Sequence, residues 1–473
     1  MWLTKIYNEY QRINKNLRYL IIVCILLGII IRLINLWDSG YLYDTNLFSE
    51  WATNGLNLNP FNFWRDYKDF FDYLPLSLFY LTFIKFLANI FSNSYVSFLI
   101  IFKLFNLLFD IGLFVCIVYI AKKYGKFSVT KSYLIGLIAF LGPSLWFVSA
   151  FWGQLDTLLV LIGLSSVLLI YRSLEKPSLS IFALYSGIFF GCGICFKLEI
   201  ILILPSLVLF HLIHRNFKIF SLQILGTLIS IFLINLGPIL VNASRVLENY
   251  QVPLHRTDYI NNGAQNLWAL IGHVDPNEMG YNILFRIGSF SLSVNNFATG
   301  MFLLILVIFT LKIIRLSNFN EFKFKLSYLQ KVISQNYQFS FFDFALFTTI
   351  SSATYYMLMT KMHERYFHTA IIFGIVTIAA MSYKTLNKRY FIILNLLLAC
   401  SYFINLINIY HYHNGSISPL WVQYFFDGFG FDSDKLSAII NLVSVLGIYV
   451  WGWIYLSRNL EAERSKSKSI VDL

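Results

Sequence analysis

Apolar residues run along this chain in blocks of roughly twenty, and polar residues gather in the stretches between them. A helix needs about 20 apolar residues to cross the hydrocarbon core of a bilayer. Twelve segments follow that pattern: 18–37, 98–120, 131–149, 157–171, 179–196, 200–214, 219–241, 296–314, 341–359, 366–382, 390–409 and 436–456. The fourth and sixth are short, as helices beside a cavity can be. The first lacks a small-residue cleavage site and reads as a retained helix. The pattern predicts an all-α polytopic membrane protein, one bundle of about twelve transmembrane helices forming a single domain over residues 1–473.

Lysine and arginine orient the bundle, because loops on the inner side carry an excess of both. With the N-terminus inside, the inner segments hold 24 of the 36 basic residues and the outer ones hold 10, with Arg32 and Lys103 left inside spans. The acids run the other way, with 16 of 24 outside. Both termini are then expected on the cytoplasmic side, of a cell membrane in a prokaryote or of the endoplasmic reticulum in a eukaryote. One apolar stretch, 73–91, does not fit the alternation. Counting it as a crossing would put Lys122, Lys123, Lys126 and Lys131 outside, so it is read as an outer helix lying in the interface, with Lys85 reaching toward headgroups. Three sizeable outer regions result, 38–97, 242–295 and 410–435, and the work of the protein is expected at that face.

Composition agrees with this picture. Of 473 residues, 58% are hydrophobic and 13% charged, against about 25% charged in soluble domains, and the mean hydropathy is +0.65. The net charge of +12 follows from the inner-loop bias and gives no reason to expect nucleic acid. Cys24, Cys116, Cys192, Cys195 and Cys400 all fall in apolar runs and read as packing thiols.

The residues able to carry chemistry cluster at the outer turns. In the first outer region, Leu47, Phe48, Trp51, Ala52 and Leu56 recur at helical spacing and predict an amphipathic helix on the outer face. Asp44 precedes it, either as an N-cap or as a carboxylate held at the membrane boundary as a general base. Asp66, Asp69 and Asp72 follow. Trp152, Gln154 and Asp156 occupy a short outer turn, and an acid at that depth should face the bundle. Lys197 and Glu199 stand at the next outer turn. Lys103, Asn106 and Asp110 share one face of the second span; Lys103 and Asp110 are about 10 Å apart along the axis, so Asp110 is expected to pair with another helix. The turn 360–368 packs Lys361, His363, Glu364, Arg365 and His368 together, and Arg beside His suits a phosphate or diphosphate. The second outer region adds Arg245, His255, Arg256, and NLWALIGH at 266–273. No metal-binding spacing and no nucleotide loop is present in these motifs, so no cofactor is expected, although a divalent cation remains compatible. Asn242 and Asn414 begin sequons on outer loops.

The order of these pieces carries a resemblance. Asp44 is followed by F-x-x-W-A; YLPL at 73–76 is close to Y-P-P-L. WGQLD at 152–156, FKLEI near 197, NLWAL at 266–270 and MHERYFH at 362–368 come next. Together they resemble the bacterial and archaeal mannosyltransferase-like family related to the second mannosyltransferase of GPI-anchor assembly, one of the polytopic GT-C glycosyltransferases. MHERY is also similar to the H-x-H-E-K motif of dolichyl-phosphate-glucose glucosyltransferases. The resemblance covers roughly residues 18–410. It implies a GT-C-like bundle and inverting transfer of a hexose, with mannose expected, from a polyprenyl-phosphate sugar donor to a lipid-linked or cell-envelope glycan acceptor outside the membrane. Asp44 maps onto the family's first-loop acid as the base, and Asp156 onto the WGQxD acid. His363, Glu364 and Arg365, with Lys197, map near the donor phosphate; Trp152, Gln154, Asn266 and Trp268 are assigned to substrate binding. The sequence departs from the family at Leu198-Glu199, where K-P-Q is common, and at Leu74.

The partners implied are the lipid donor, the glycan acceptor and membrane lipids. A lipid-linked sugar flippase or another transporter is the main competing class. It would explain charges inside spans, but it would not need Asp44, and no inverted repeat is visible.

Overall fold

All twelve apolar segments are helical in the computed structural model, which describes residues 13–255, 261–262, 264–271, 283–287, 290–316, 339–360, 362–382, 385, 387–414, 422–423 and 433–471. Most of the inner loop 315–340 and of the outer region 410–435 lies outside the described residues. So do Arg256, His273, Lys361 and the side chains of His255 and Glu364.

The longer helices are α1 (Lys15–Ile34), α2 (Leu42–Leu58), α3 (Pro75–Asn89), α4 (Tyr95–Lys123), α5 (Val129–Phe140), α6 (Asp156–Glu175), α7 (Ile181–Phe196), α8 (Leu204–His214) and α9 (Phe217–His255). They continue with α10 (Val294–Leu316), α11 (Phe341–Leu358), α12 (His368–Ala380), α13 (Lys388–Asn414) and α14 (Ser433–Val471). Strands are confined, among the described residues, to two small pairs. β1 (Asn261–Asn262) runs parallel to β4 (Met362–His363), and β2 (Ile283–Ile287) antiparallel to β3 (Phe290–Ser293). Among the described residues seven helices are long and apolar enough to cross a membrane, or eight if α5 and the bent segment after it are one span. The protein is therefore an all-α, multi-pass membrane protein. The segments around α7, α8 and α12 are helical but shorter than 18 residues.

Contacts divide the chain into two compact units. The first comprises Met1–Ile201, Phe217–Asp258 and Phe403–Ser433. Its helices start at sequence-encoded caps: Asn14 accepts from Asn16 N, Ser94 from Ser97 N, and Ser128 from Lys131 N. α5 ends where Gly142-Pro143 interrupts the backbone ladder, and the chain resumes at a 47° angle. That second piece finishes as a π-helical turn, Phe147–Trp152, before Gly153. α9 breaks at Asn242, whose Oδ1 accepts from Arg245 N at 3.2 Å and so caps the helix that follows; its Nδ2 donates to Trp64 O at 3.2 Å.

In the first outer region α2 lays Asp44, Phe48, Trp51, Ala52 and Gly55 on its buried side, at the spacing of one helix face. An aromatic cluster backs it, with Trp51 edge-on to Phe71 at 5.0 Å and Phe63 stacked on Tyr67 at 4.5 Å. Arg245 donates to the carbonyls of Tyr67 and Asp69, and Asn249 to those of Phe71 and Tyr73, tying this region to α9. α3 spans 15 residues, about 22 Å, short for a crossing, as α7, α8 and α12 also are. Lys85 does not reach outward as expected: it lies on the packed face of α3 with Leu78, Leu81 and Ala88 and is 3% exposed.

The second unit comprises Leu202–Asn216, Tyr259–Tyr402 and Asp434–Leu473. α11 is its buried centre, and it carries hydroxyls where a lipid-facing helix would carry alkyl groups. Those hydroxyls join neighbouring helices: Thr348 to Ser206 at 2.7 Å, Thr349 to Thr377 at 3.0 Å, and Thr354 to Tyr449 at 2.6 Å. In a medium without water such bonds are what polar side chains are for. Ser340 opens α11 with a capping box closed by Asp343.

Candidate functional site

The first unit gathers its buried charge around the turn 151–156. α4 presents Lys103, Asn106 and Asp110 on one face; the first two meet backbone carbonyls of neighbouring helix ends, and Asp110 meets side chains. Lys103 Nζ donates to the carbonyls of Asn35 (2.9 Å) and Asp38 (2.8 Å), at the end of α1. Asn106 Nδ2 donates to Ser149 O (2.9 Å), inside the π-helical turn, and to Gln154 O (3.1 Å), just after it. Asp110 Oδ2 accepts from Arg32 Nε and from Ser149 Oγ, both at 2.6 Å. The expectation that Asp110 pairs with another helix is met by Arg32 of α1. Helix ends leave carbonyls without intrahelical partners, and in an apolar setting these must be met by side chains. The polar face of α4 does this.

Two glycines let the turn close on the loop before α2. Gly153 has φ 83°, a conformation open to glycine at no steric cost. Gly40 has φ 72°, and a Cβ there would stand 2.6 Å from Trp152 O, the carbonyl that accepts from Tyr41 N at 3.0 Å. Tyr410 completes the enclosure: its hydroxyl donates to Gly40 O (3.1 Å), and its ring lies 4.7 Å from Phe151 and 5.9 Å from Trp152. Tyr41 packs on Trp152 from another direction at 5.0 Å.

This closure brings Asp44 to the WGQLD turn. Trp152 Nε1 donates to Asp44 Oδ2 at 3.3 Å, and Gln154 Nε2 donates to the same oxygen. Asp44 is 7% exposed and Gln154 1%. Asp44 is not an N-cap. It stands in the first turn of α2, with Tyr41 in the cap position, and its side chain turns to the turn across 108 and 110 residues of chain. Asp156 opens α6 and accepts from Lys197 Nζ at 2.6 Å through Oδ1, while Glu199 lies 2.9 Å from the same ammonium. Lys197, Asp156 and Glu199 are thus one ion cluster, with side chains 13%, 3% and 12% exposed. Of the other first-loop acids, Asp72 is buried and Asp66 and Asp69 are exposed. The hydrogen bond from Arg65 holds the Asp66 carboxyl below the usual range.

The second unit holds the other motifs. Asn266 caps a single turn, Leu267–Leu270, by accepting from Trp268 N and Ala269 N, and its Nδ2 donates to Tyr356 O at 3.2 Å. Trp268 Nε1 donates to Leu358 O at 2.7 Å. Both side chains assigned to substrate thus satisfy carbonyls at the end of α11. The same stretch, through β1, pairs with Met362-His363, so NLWAL and MHERYFH are neighbours in this unit. Arg365 is 7% exposed, and its carbonyl accepts from Tyr402 OH at 3.3 Å. His363 packs on Tyr366 at 5.4 Å, and His368 lies 1% exposed beside Tyr402. The backbone of Glu364 forms the turn that carries Arg365.

Sequence reasoning missed Arg32, Thr45 and Tyr410. Arg32 had a signal, being an arginine inside a span. Thr45 and Tyr410 had none, since each acts through contacts with distant backbone: Thr45 Oγ1 donates to Ser39 O (2.9 Å) and accepts from Tyr95 OH (2.8 Å). Among the described residues no group of three His, Cys, Asp or Glu side chains could hold a metal ion. No family model matches the chain, and no curated protein matches it. The mannosyltransferase-like resemblance therefore rests on its sequence motifs alone.

Proposed function

We propose that this protein is an inverting glycosyltransferase of the GT-C type. It moves a hexose, mannose by resemblance, from a polyprenyl-phosphate sugar to a lipid-linked or cell-envelope glycan on the outer side of the membrane. The observation that carries this reading is the buried Asp44 carboxylate, aimed by Trp152 and Gln154 of the WGQLD turn. Inverting transfer needs one carboxylate placed to take the acceptor hydroxyl's proton, and a base serves only when it is fixed near that proton. Two N–H donors converging on Oδ2 fix the plane of this one. A third-party nucleotide fold is not needed when the leaving group is a lipid phosphate.

In this reading Asp44 is the base. Asp156 shapes the turn through Lys197. The ammonium of Lys197 is already balanced by two acids, so the donor phosphate falls chiefly to Arg365 and His363, with Glu364 orienting that turn. Asn266 and Trp268 act by holding the MHERYFH segment. All twelve helical segments cross the membrane, α2 and α3 lie at the outer face, and both termini are cytoplasmic.

The test is sugar transfer by the purified full-length protein in lipid nanodiscs, given polyprenyl-phosphate mannose and, separately, polyprenyl-phosphate glucose, with extracted lipid-linked glycans as acceptor. Transfer that Asp44→Asn abolishes supports the reading. Absence of transfer from both donors, together with movement of a labelled lipid-linked sugar across vesicles, would favour a flippase. The observation on that side is the buried Arg32–Asp110 pair inside helices that cross the membrane.

A further inference from the structure

The second unit carries a groove of about 550 Å³ where α13 begins and the apolar part of α14 ends. The two helices run antiparallel, so the groove has one polar end and one apolar run. Leu394, Leu446, Val450 and Ile454 line the run, and Gly447 leaves room for the end of the Leu394 side chain, which a Cβ there would meet at 2.7 Å. At the other end stand Thr385, Asn387, Tyr390 and Arg458. Lys388 and Arg389 open α13 beside them, and no ion-pair partner for Lys388, Arg389 or Arg458 is found among the described residues. Trp451 and Tyr455, stacked at 5.6 Å and 7°, form the wall nearest Arg458.

These features describe an amphipathic ligand with an anionic head. The apolar run is lined by alkyl side chains, as an acyl-chain groove is, and Val450 and Ile454 are exposed along it. The basic groups mark the membrane–water boundary, and Tyr390, Trp451 and Tyr455 supply the aromatic belt found there. An arginine's forked donors match a phosphate, and basic pockets between transmembrane helices bind anionic head groups. We propose that this groove binds one anionic glycerophospholipid, with an acyl chain along Leu394, Val450 and Ile454 and its phosphate on Arg458. The site is independent of the glycosyltransferase reading, which uses other residues.

The test is native mass spectrometry of the full-length protein released from nanodiscs containing equal parts of phosphatidylglycerol and phosphatidylcholine. Wild-type protein should retain a single phosphatidylglycerol over phosphatidylcholine by about fivefold, the preference one surface arginine confers. Arg458→Gln should bring that ratio to about one while a lipid is still retained. Val450→Trp, at a position 60% exposed and so tolerant of bulk, should reduce retention of both lipids. A wild-type ratio near one, or a preference that survives Arg458→Gln, overturns the assignment. A dimer dissociated by Val450→Trp would give the groove to a second copy and overturn it as well.

Discussion

Arg32 Nε donates to Asp110 Oδ2 at 2.6 Å, joining α1 to α4 across 78 residues of chain, with both side chains 1% or less exposed. The rest of the guanidinium donates to Gly28 O and Phe140 O at 2.9 Å, and its Cζ lies 4.2 Å from the Phe140 ring centroid. Every charge here is compensated, and the same carboxylate oxygen accepts from Ser149 before the WGQLD turn.

Breaking this pair from one side should be costly. Removing one partner of a buried ion pair leaves an uncompensated charge, at about 3–5 kcal/mol. Arg32→Met is expected to lower the thermal midpoint in detergent sharply, and Arg32→Met with Asp110→Leu to recover much of the loss. If the double variant is as unstable as the sum of the singles, the pair is more than charge compensation.

Asp44→Asn keeps an acceptor for Trp152 and Gln154, so the melt should be unchanged. Turnover should fall by about 10²–10⁴, the factor lost with general acid–base catalysis. An active Asp44→Asn protein would remove Asp44 as the base.

Gln154→Leu removes one donor to the Asp44 carboxylate without touching the carboxylate itself. Hydrogen bonds to charged groups contribute about 1.5–3 kcal/mol. Turnover should drop with little change in donor affinity, measured as kcat against KM, because orientation and not binding is lost.

Arg365→Lys retains charge but loses the forked donors. Apparent affinity for the lipid donor should weaken in Arg365→Lys and further in Arg365→Ala. Equal affinity in all three proteins would relieve Arg365 of the phosphate.

Single cysteines at Ser94 and Asn414 should label from outside in intact cells, and one at Lys126 only after permeabilisation. The motive is the distribution of basic residues, 24 on the inner segments against 10 on the outer. Labelling of Lys126 from outside with protection at Ser94 would make α3 a crossing.

The helices are written locally in the chain. Apolar runs in a bilayer leave the backbone no alternative but to satisfy its hydrogen bonds internally, so the helical segments and the amphipathic α2 are legible, apart from the 47° bend inside 131–149. That Lys103, Asn106 and Asp110 share a face is legible too, because helical spacing is local. What these residues face was decided only by the tertiary structure. Asp44 reads locally as a cap or as a base, and is held by Trp152 and Gln154 only because Gly40 and Gly153 allow two distant loops to close. Lys85 reads as a snorkelling lysine and is turned inward by the packing of α3. Asn266 and Trp268 read as ligands of a substrate, while the open carbonyls at the end of α11 claim their polar atoms. Periodicity reports which side of a helix is apolar, whereas a buried polar atom's partner depends on which helix end lies opposite, and that is fixed by packing between segments about a hundred residues apart.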